Sequence, residues 1–133
     1  MNVNPPVPGF GDAITRPYWE AAQSRRLLIQ RCDSCGQHQF YPRRFCRRCH
    51  AENVSWVEAS GCGRIYTLTR IWHSEDPAVA APYFNALVEL DEGPRLFTTL
   101  VGGDFAIGQR VRVAWRDRSG GPPVAVFEAA EER

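Results

Sequence analysis

The run Cys32 to Cys49, C-D-S-C-G-Q-H-Q-F-Y-P-R-R-F-C-R-R-C, constrains this chain more than any other stretch. It holds two C-x2-C pairs with ten residues between them. A C-x2-C pair can close a tight knuckle whose backbone amides point at sulfur, and two facing knuckles complete a tetrahedron of thiolates. Four of the five cysteines lie here, and Gly36 is placed to turn the first knuckle. The expected ligands are therefore Cys32, Cys35, Cys46 and Cys49, around a structural zinc. Iron also occupies four-thiolate ribbons and is the alternative metal. Duplicated spacing argues against a redox C-x-x-C pair. Disulfides are disfavoured because nothing in the sequence marks secretion.

The chain is 133 residues long, enough for one medium domain or two small ones. With 44% hydrophobic and 23% charged residues it has the composition of a globular protein. No apolar run nears the roughly 18 residues a membrane helix needs. The opening residues, proline-rich and without a basic or apolar signal region, argue against secretion; a reducing cytoplasm is the expected setting. All 16 basic residues are arginine. Residues 1–50 carry eight arginines against Asp12, Glu20 and Asp33, a balance of +5, and residues 51–133 carry eight against twelve acids, a balance of −4.

Residues 1–14 read as a flexible lead-in, with Asp12 or Thr15 available to cap a helix and Pro17 acceptable in its first turn. Tyr18, Ala21, Ala22 and Arg25 then recur at helical spacing, giving a short amphipathic helix over 17–26. A strand over 27–31 enters the first knuckle. Between the knuckles Phe40, Tyr41, Pro42 and Phe45 supply a small core. So small a module buries little apolar surface, and metal must contribute much of its stability. Arg43, Arg44, Arg47 and Arg48 crowd the same loop, either as a solvated basic face or as a site for a phosphate-bearing ligand.

From Val54 the pattern changes to period two. Strands are expected over 64–72, 83–90, 96–101, 110–115 and 124–129, with turns at Gly61–Gly63, Asp91-Glu92-Gly93-Pro94 and 119–123. Five strands with short turns suit a small closed barrel better than a sandwich. No nucleophile elbow, phosphate loop or paired-carboxylate constellation is present, so no catalytic residue is assigned. His38 and His50 flank the knuckles and are read as surface residues before thiolate-orienting ones. His73 closes a strand near the loop to Pro82. Cys62 is read as a partly buried structural thiol.

Taken in order, several motifs resemble a known family. They are Tyr18-Trp19-Glu20-Ala21, Leu27-Leu28-Ile29-Gln30-Arg31-Cys32, Tyr41-Pro42-Arg43, Trp56 with Ser60-Gly61-Cys62-Gly63-Arg64-Ile65-Tyr66, Pro82-Tyr83, Val88 through Arg95, and Ile107-Gly108 before Val111-Arg112-Val113. The family joins a rubredoxin-like zinc ribbon to an OB-fold barrel, was long described as a domain of unknown function, and is found beside thiolase-like enzymes. The resemblance implies a mainly β fold: N-terminal helix, rubredoxin-like zinc ribbon, then a five-stranded OB barrel, with ribbon and helix over 15–52 and barrel over 53–133. It also implies a non-catalytic accessory subunit of a thiolase-like partner in a two-plus-two hetero-oligomer. Such a subunit helps bind an acyl-CoA thioester for carbon–carbon bond cleavage or formation in lipid or aromatic acyl metabolism. The expected ligand is then CoA or acyl-CoA, its phosphates near Arg43, Arg44, Arg47 and Arg48 and its adenine or pantetheine near Phe40 and Tyr41. The alternatives are a nucleic-acid-binding module, disfavoured by the acidic second half, and a rubredoxin-type electron carrier, which leaves the barrel unexplained.

Overall fold

A computed structural model describes residues 12–75, 77 and 79–131. The lead-in expected for residues 1–14 lies, through residue 11, outside the described residues. Two compact units emerge: one runs from the first described residues to Ala59 and takes in Trp115–Val124, the other holds Ser60–Ala114 and the described residues from Ala125.

The first unit begins with helix α1, Arg16–Gln23. Its entry is fixed by Asp12, whose Oδ1 accepts the Ile14 and Thr15 N–H groups and the Thr15 hydroxyl at 3.1, 2.7 and 2.8 Å. The Thr15 N–H, before the other causes, holds that carboxyl below its usual range. Thr15 stands at the N-cap but makes no side-chain capping bond. The helix ends earlier than helical spacing alone suggests, because Arg25 turns left-handed with φ 57°. The Arg25 and Arg26 N–H groups then reach back to the Ala22 and Ala21 carbonyls, the paired bonds of a Schellman stop. Ala21 and Ala22 face inward with Leu27 and Ile29.

Strands β1 (Leu28–Cys32), β2 (His38–Gln39) and β3 (Val54–Glu58) form an antiparallel sheet in the order β2-β1-β3. The knuckles hang from β1 and from the chain after β2. The period-two pattern starting at Val54 thus begins with a strand of the ribbon's sheet. Residues 115–124 also belong to this unit: Asp117 pairs with Arg25 at 2.6 Å, and the Arg118 guanidinium lies 5.3 Å from the Trp19 ring.

The other five strands, β4 (Cys62–Ile71), β5 (Tyr83–Leu90), β6 (Arg95–Leu100), β7 (Arg110–Arg116) and β8 (Val124–Ala129), close a barrel in the order β4-β5-β6-β8-β7. β6 and β8 run parallel, through Leu100 and Phe127, while β5 pairs antiparallel with β4 and β6. This is the Greek-key closure of an OB-fold. Ile65, Val88, Leu90, Leu96, Leu100, Val111, Val126 and Phe127, all on these strands, are buried. Gly61 and Gly63 are required sterically. Gly61 has φ +81° with Val113 where a Cβ would stand, and a Cβ on Gly63 would strike the Glu89 carbonyl oxygen.

Candidate metal centre and arginine loop

The two knuckles repeat one another bond for bond. In the first, the Ser34 and Cys35 N–H groups point at Cys32 Sγ (3.3 and 3.4 Å). In the second, Arg48 and Cys49 N–H groups point at Cys46 Sγ (3.3 and 3.5 Å). Cys32 N–H donates to the Gln37 carbonyl and Cys46 N–H to that of Ala51, five residues on in each case. Gly36 N–H closes on the Cys32 carbonyl and His50 N–H on that of Cys46, both at 2.8 Å. Gly36 and His50 therefore hold equivalent left-handed positions, with φ 79° and 68°. That backbone requirement accounts for His50, which is exposed, with its ring against Phe45 at 6.1 Å. Among the described residues neither His38 nor His50 bonds a sulfur.

The four Sγ atoms lie within 4.8 Å of one another, with Cys32–Cys49 and Cys35–Cys46 each at 3.6 Å. Zinc–sulfur bonds of about 2.3 Å in a tetrahedron place sulfurs about 3.8 Å apart, so the donor set fits the ion. The electrostatics agree. Amide donation from Cys49, ahead of other causes, brings the Cys46 thiol down to about 6, and the Cys35 amide lowers Cys32. Cys49 receives the Ala51 amide, which lowers it, but its bond to Cys32, burial and the other sulfurs push it up to about 11. Four sulfurs this close cannot all ionise without a cation among them; a bound metal supplies that charge. Cys62 is outside the cluster. It lines a cleft of about 520 Å³ in the barrel unit with Arg110, Arg112, Ala129, Ala130 and Glu131.

Between β2 and Cys46 the chain carries the arginine loop. Arg43, Arg44, Arg47 and Arg48 are all exposed. Arg48 donates to Gln37 Oε1 at 3.3 Å, and among the described residues none of the four makes an ion pair. Four arginines elsewhere are paired with carboxylates: Arg26 with Glu58, Arg95 with Glu89, Arg110 with Asp91 and Arg112 with Glu128. Phe40 is half-buried, 5.5 Å from both Tyr18 and Tyr41, and Tyr18 meets Trp19 at 4.8 Å. Burial, ahead of the neighbouring Tyr41, raises the Tyr18 phenol to about 12. Tyr41, at 55% exposure, is the open end of this aromatic row, beside the arginines.

The loop's backbone is held by two residues that sequence reasoning missed. Gln30 and Gln39, each 3% exposed, face one another across β1 and β2. Gln30 exchanges two bonds with the Arg43 peptide, Nε2 to the carbonyl and N–H to Oε1, both at 2.8 Å. Gln39 Nε2 donates to Gln30 Oε1 (2.8 Å) and the Phe45 carbonyl (3.1 Å), and Gln39 Oε1 accepts the Arg47 N–H (3.0 Å).

A ribbon of paired knuckles and an OB barrel define a two-module zinc-ribbon protein, and comparison with known proteins gives the family. The model of the ChsH2 rubredoxin-like zinc ribbon domain matches residues 19–55, and that of the ChsH2 C-terminal OB-fold domain matches residues 56–116. The chain belongs to this ribbon-plus-OB family. It is 39% identical over 116 residues to a probable enoyl-CoA hydratase alpha subunit of Thermomonospora curvata, covering 85% of this chain and 36% of that protein. It is 32% identical over 104 residues to a DUF35 domain-containing scaffold protein of Methanocaldococcus jannaschii, covering 74% of each. The chain thus spans about a third of the first relative and three quarters of the second. A solved structure described as an Ltp2-ChsH2(DUF35) aldolase contains a chain with TM-score 0.81 and 36% identity, covering 90% of this chain and 96% of that one.

Proposed function

We propose that this protein is an accessory subunit that docks on a thiolase-like enzyme and helps bind an acyl-CoA thioester for carbon–carbon bond cleavage or formation. The observation that carries the reading is the likeness, over 90% of this chain, to a chain of the structure described as an Ltp2-ChsH2(DUF35) aldolase. Relatives named as a scaffold and as an enoyl-CoA hydratase subunit support the same class of role. Zinc held by Cys32, Cys35, Cys46 and Cys49 is structural: with four thiolates the coordination shell is closed, and the ion supplies folding energy to the ribbon.

The ligand face is the arginine loop. Its exposed guanidinium groups, unlike Arg95, Arg110 and Arg112 of the barrel, which are paired with carboxylates, are available to the phosphates of CoA, and Tyr41 and Phe40 offer an aromatic surface for adenine or pantetheine. The assembly is a hetero-oligomer with two copies of each subunit, since a two-fold enzyme presents two equivalent docking sites. Its setting is the cytoplasm, where acyl-CoA and reduced thiols coexist; among the described residues no helix is long and apolar enough to cross a membrane. Co-expression with the neighbouring coding sequence, then light scattering on the purified product, tests the assembly. A two-plus-two mass is expected; a chain that purifies alone and monomeric from that host contradicts the reading.

A further inference from the structure

The arginine loop has no regular hydrogen-bonded structure of its own, yet its backbone is pinned at three points. The Gln30–Gln39 pair makes five hydrogen bonds, four of them to the peptides of Arg43, Phe45 and Arg47. Gln30 uses both lone pairs of Oε1, for the Arg43 N–H and the Gln39 amide, and Gln39 uses both protons of Nε2. The pair is buried, so each bond is made away from competing water and a lost partner is costly. Two buried glutamines in a ribbon whose core holds few residues are not explained by packing. The metal knuckle does not require both either: its sulfurs are already oriented by the amides of Ser34, Cys35, Arg48 and Cys49. The Gln30–Arg43 exchange lies upstream of Cys46 and bonds no knuckle residue.

We infer that Gln30 and Gln39 are positioning residues for polyphosphate binding: they fix the Arg43 and Arg47 backbone so that the two guanidinium groups converge on one ligand. The inference rests on the reading of the loop as the CoA-phosphate face. The ordering cost of the loop is met at folding, and binding then has only the arginine side chains to order. Glutamine suits the task because a single amide both donates and accepts, matching a peptide unit bond for bond. A carboxylate or an aliphatic side chain of the same length cannot do both.

The test titrates the zinc-loaded chain with coenzyme A and with inorganic pyrophosphate, as wild type, as Arg43→Gln/Arg47→Gln, and as Gln30→Met and Gln39→Met. Zinc content and amide exchange at Arg43 and Arg47 are measured in each. The glutamine variants are expected to keep one zinc, to exchange the freed amides faster, and to bind both probes roughly three- to tenfold more weakly. Unchanged affinity in the glutamine variants, with the double arginine variant weakened, overturns the positioning role and leaves the phosphate reading standing. No effect of the double arginine variant, or no binding by wild type, overturns the phosphate reading itself. If the methionine variants lose zinc, Gln39→Glu, which keeps the acceptor for Arg47 and removes both donors, replaces them. Zinc loss there too assigns the pair to the metal knuckle and overturns the inference.

Discussion

Individual residues carry two requirements here, ligation and backbone shape. For ligation, Cys46→Ala removes one of four sulfurs and is expected to release the metal and disorder the ribbon, while the barrel, with its own apolar core, survives. Cys62→Ser is the contrast, expected to keep full zinc and cost at most about 1–3 kcal/mol. Metal analysis of the two variants decides it: zinc retained in the first, or lost from the second, contradicts the assignment. For backbone shape, Gly63→Ala drives a Cβ into the Glu89 carbonyl on the neighbouring strand. A loss of about 1–3 kcal/mol is expected in denaturant titration, where an unchanged midpoint shows the strands can part without cost. The clustering of Cys32, Cys35, Cys46 and Cys49 was legible in the sequence because the spacing of two C-x2-C pairs marks it. The left-handed turn at His50 was not, because only Gly36 announces such a turn by residue type, and the bond-for-bond repeat of the knuckles had to be seen.

At the level of elements, the strands β4 to β8 fall close to the segments that alternation marks, since a barrel buries one face of each strand and a period of two survives. Alternation shows that a strand exists but not which sheet it joins, and Val54–Glu58 pairs with β1. The buried glutamines escape the same logic: Ile29 and Gln30 are consecutive and both buried, and a polar residue in a strand ordinarily points to water. The turn between β5 and β6 is tied to β7 by the two-pronged Arg110–Asp91 pair at 2.6 and 2.7 Å. Arg110 holds the Asp91 carboxyl below 3.8, its ordinary value. A depressed carboxyl stabilises the fold above its unfolded value, and that contribution is lost as pH falls through the depressed one. Asp91→Asn is therefore expected to lower the urea midpoint at pH 7, and the gap to wild type is expected to narrow steadily below about pH 4. A gap independent of pH contradicts the ion pair's role.

For the whole molecule, the features that bear on the proposed role are four cysteines placed to hold a metal and a loop of four exposed arginines that make no ion pair among the described residues. Electron transfer by an iron-loaded ribbon is checked by colour, since oxidised four-thiolate iron absorbs visible light and zinc does not; a colourless protein with one zinc per chain is expected. The partner interface is expected to bury roughly 1,200–2,000 Å² with aromatic anchors at its centre. On the proposed function this chain acts only through a partner. The most direct test is acyl-CoA turnover measured with the chain alone, with the co-purifying thiolase-like subunit alone, and with the two mixed. No turnover is expected from this chain, little from the partner, and a large gain on mixing. A chain that turns over a thioester unaided, or a partner whose activity is the same with and without it, contradicts the account.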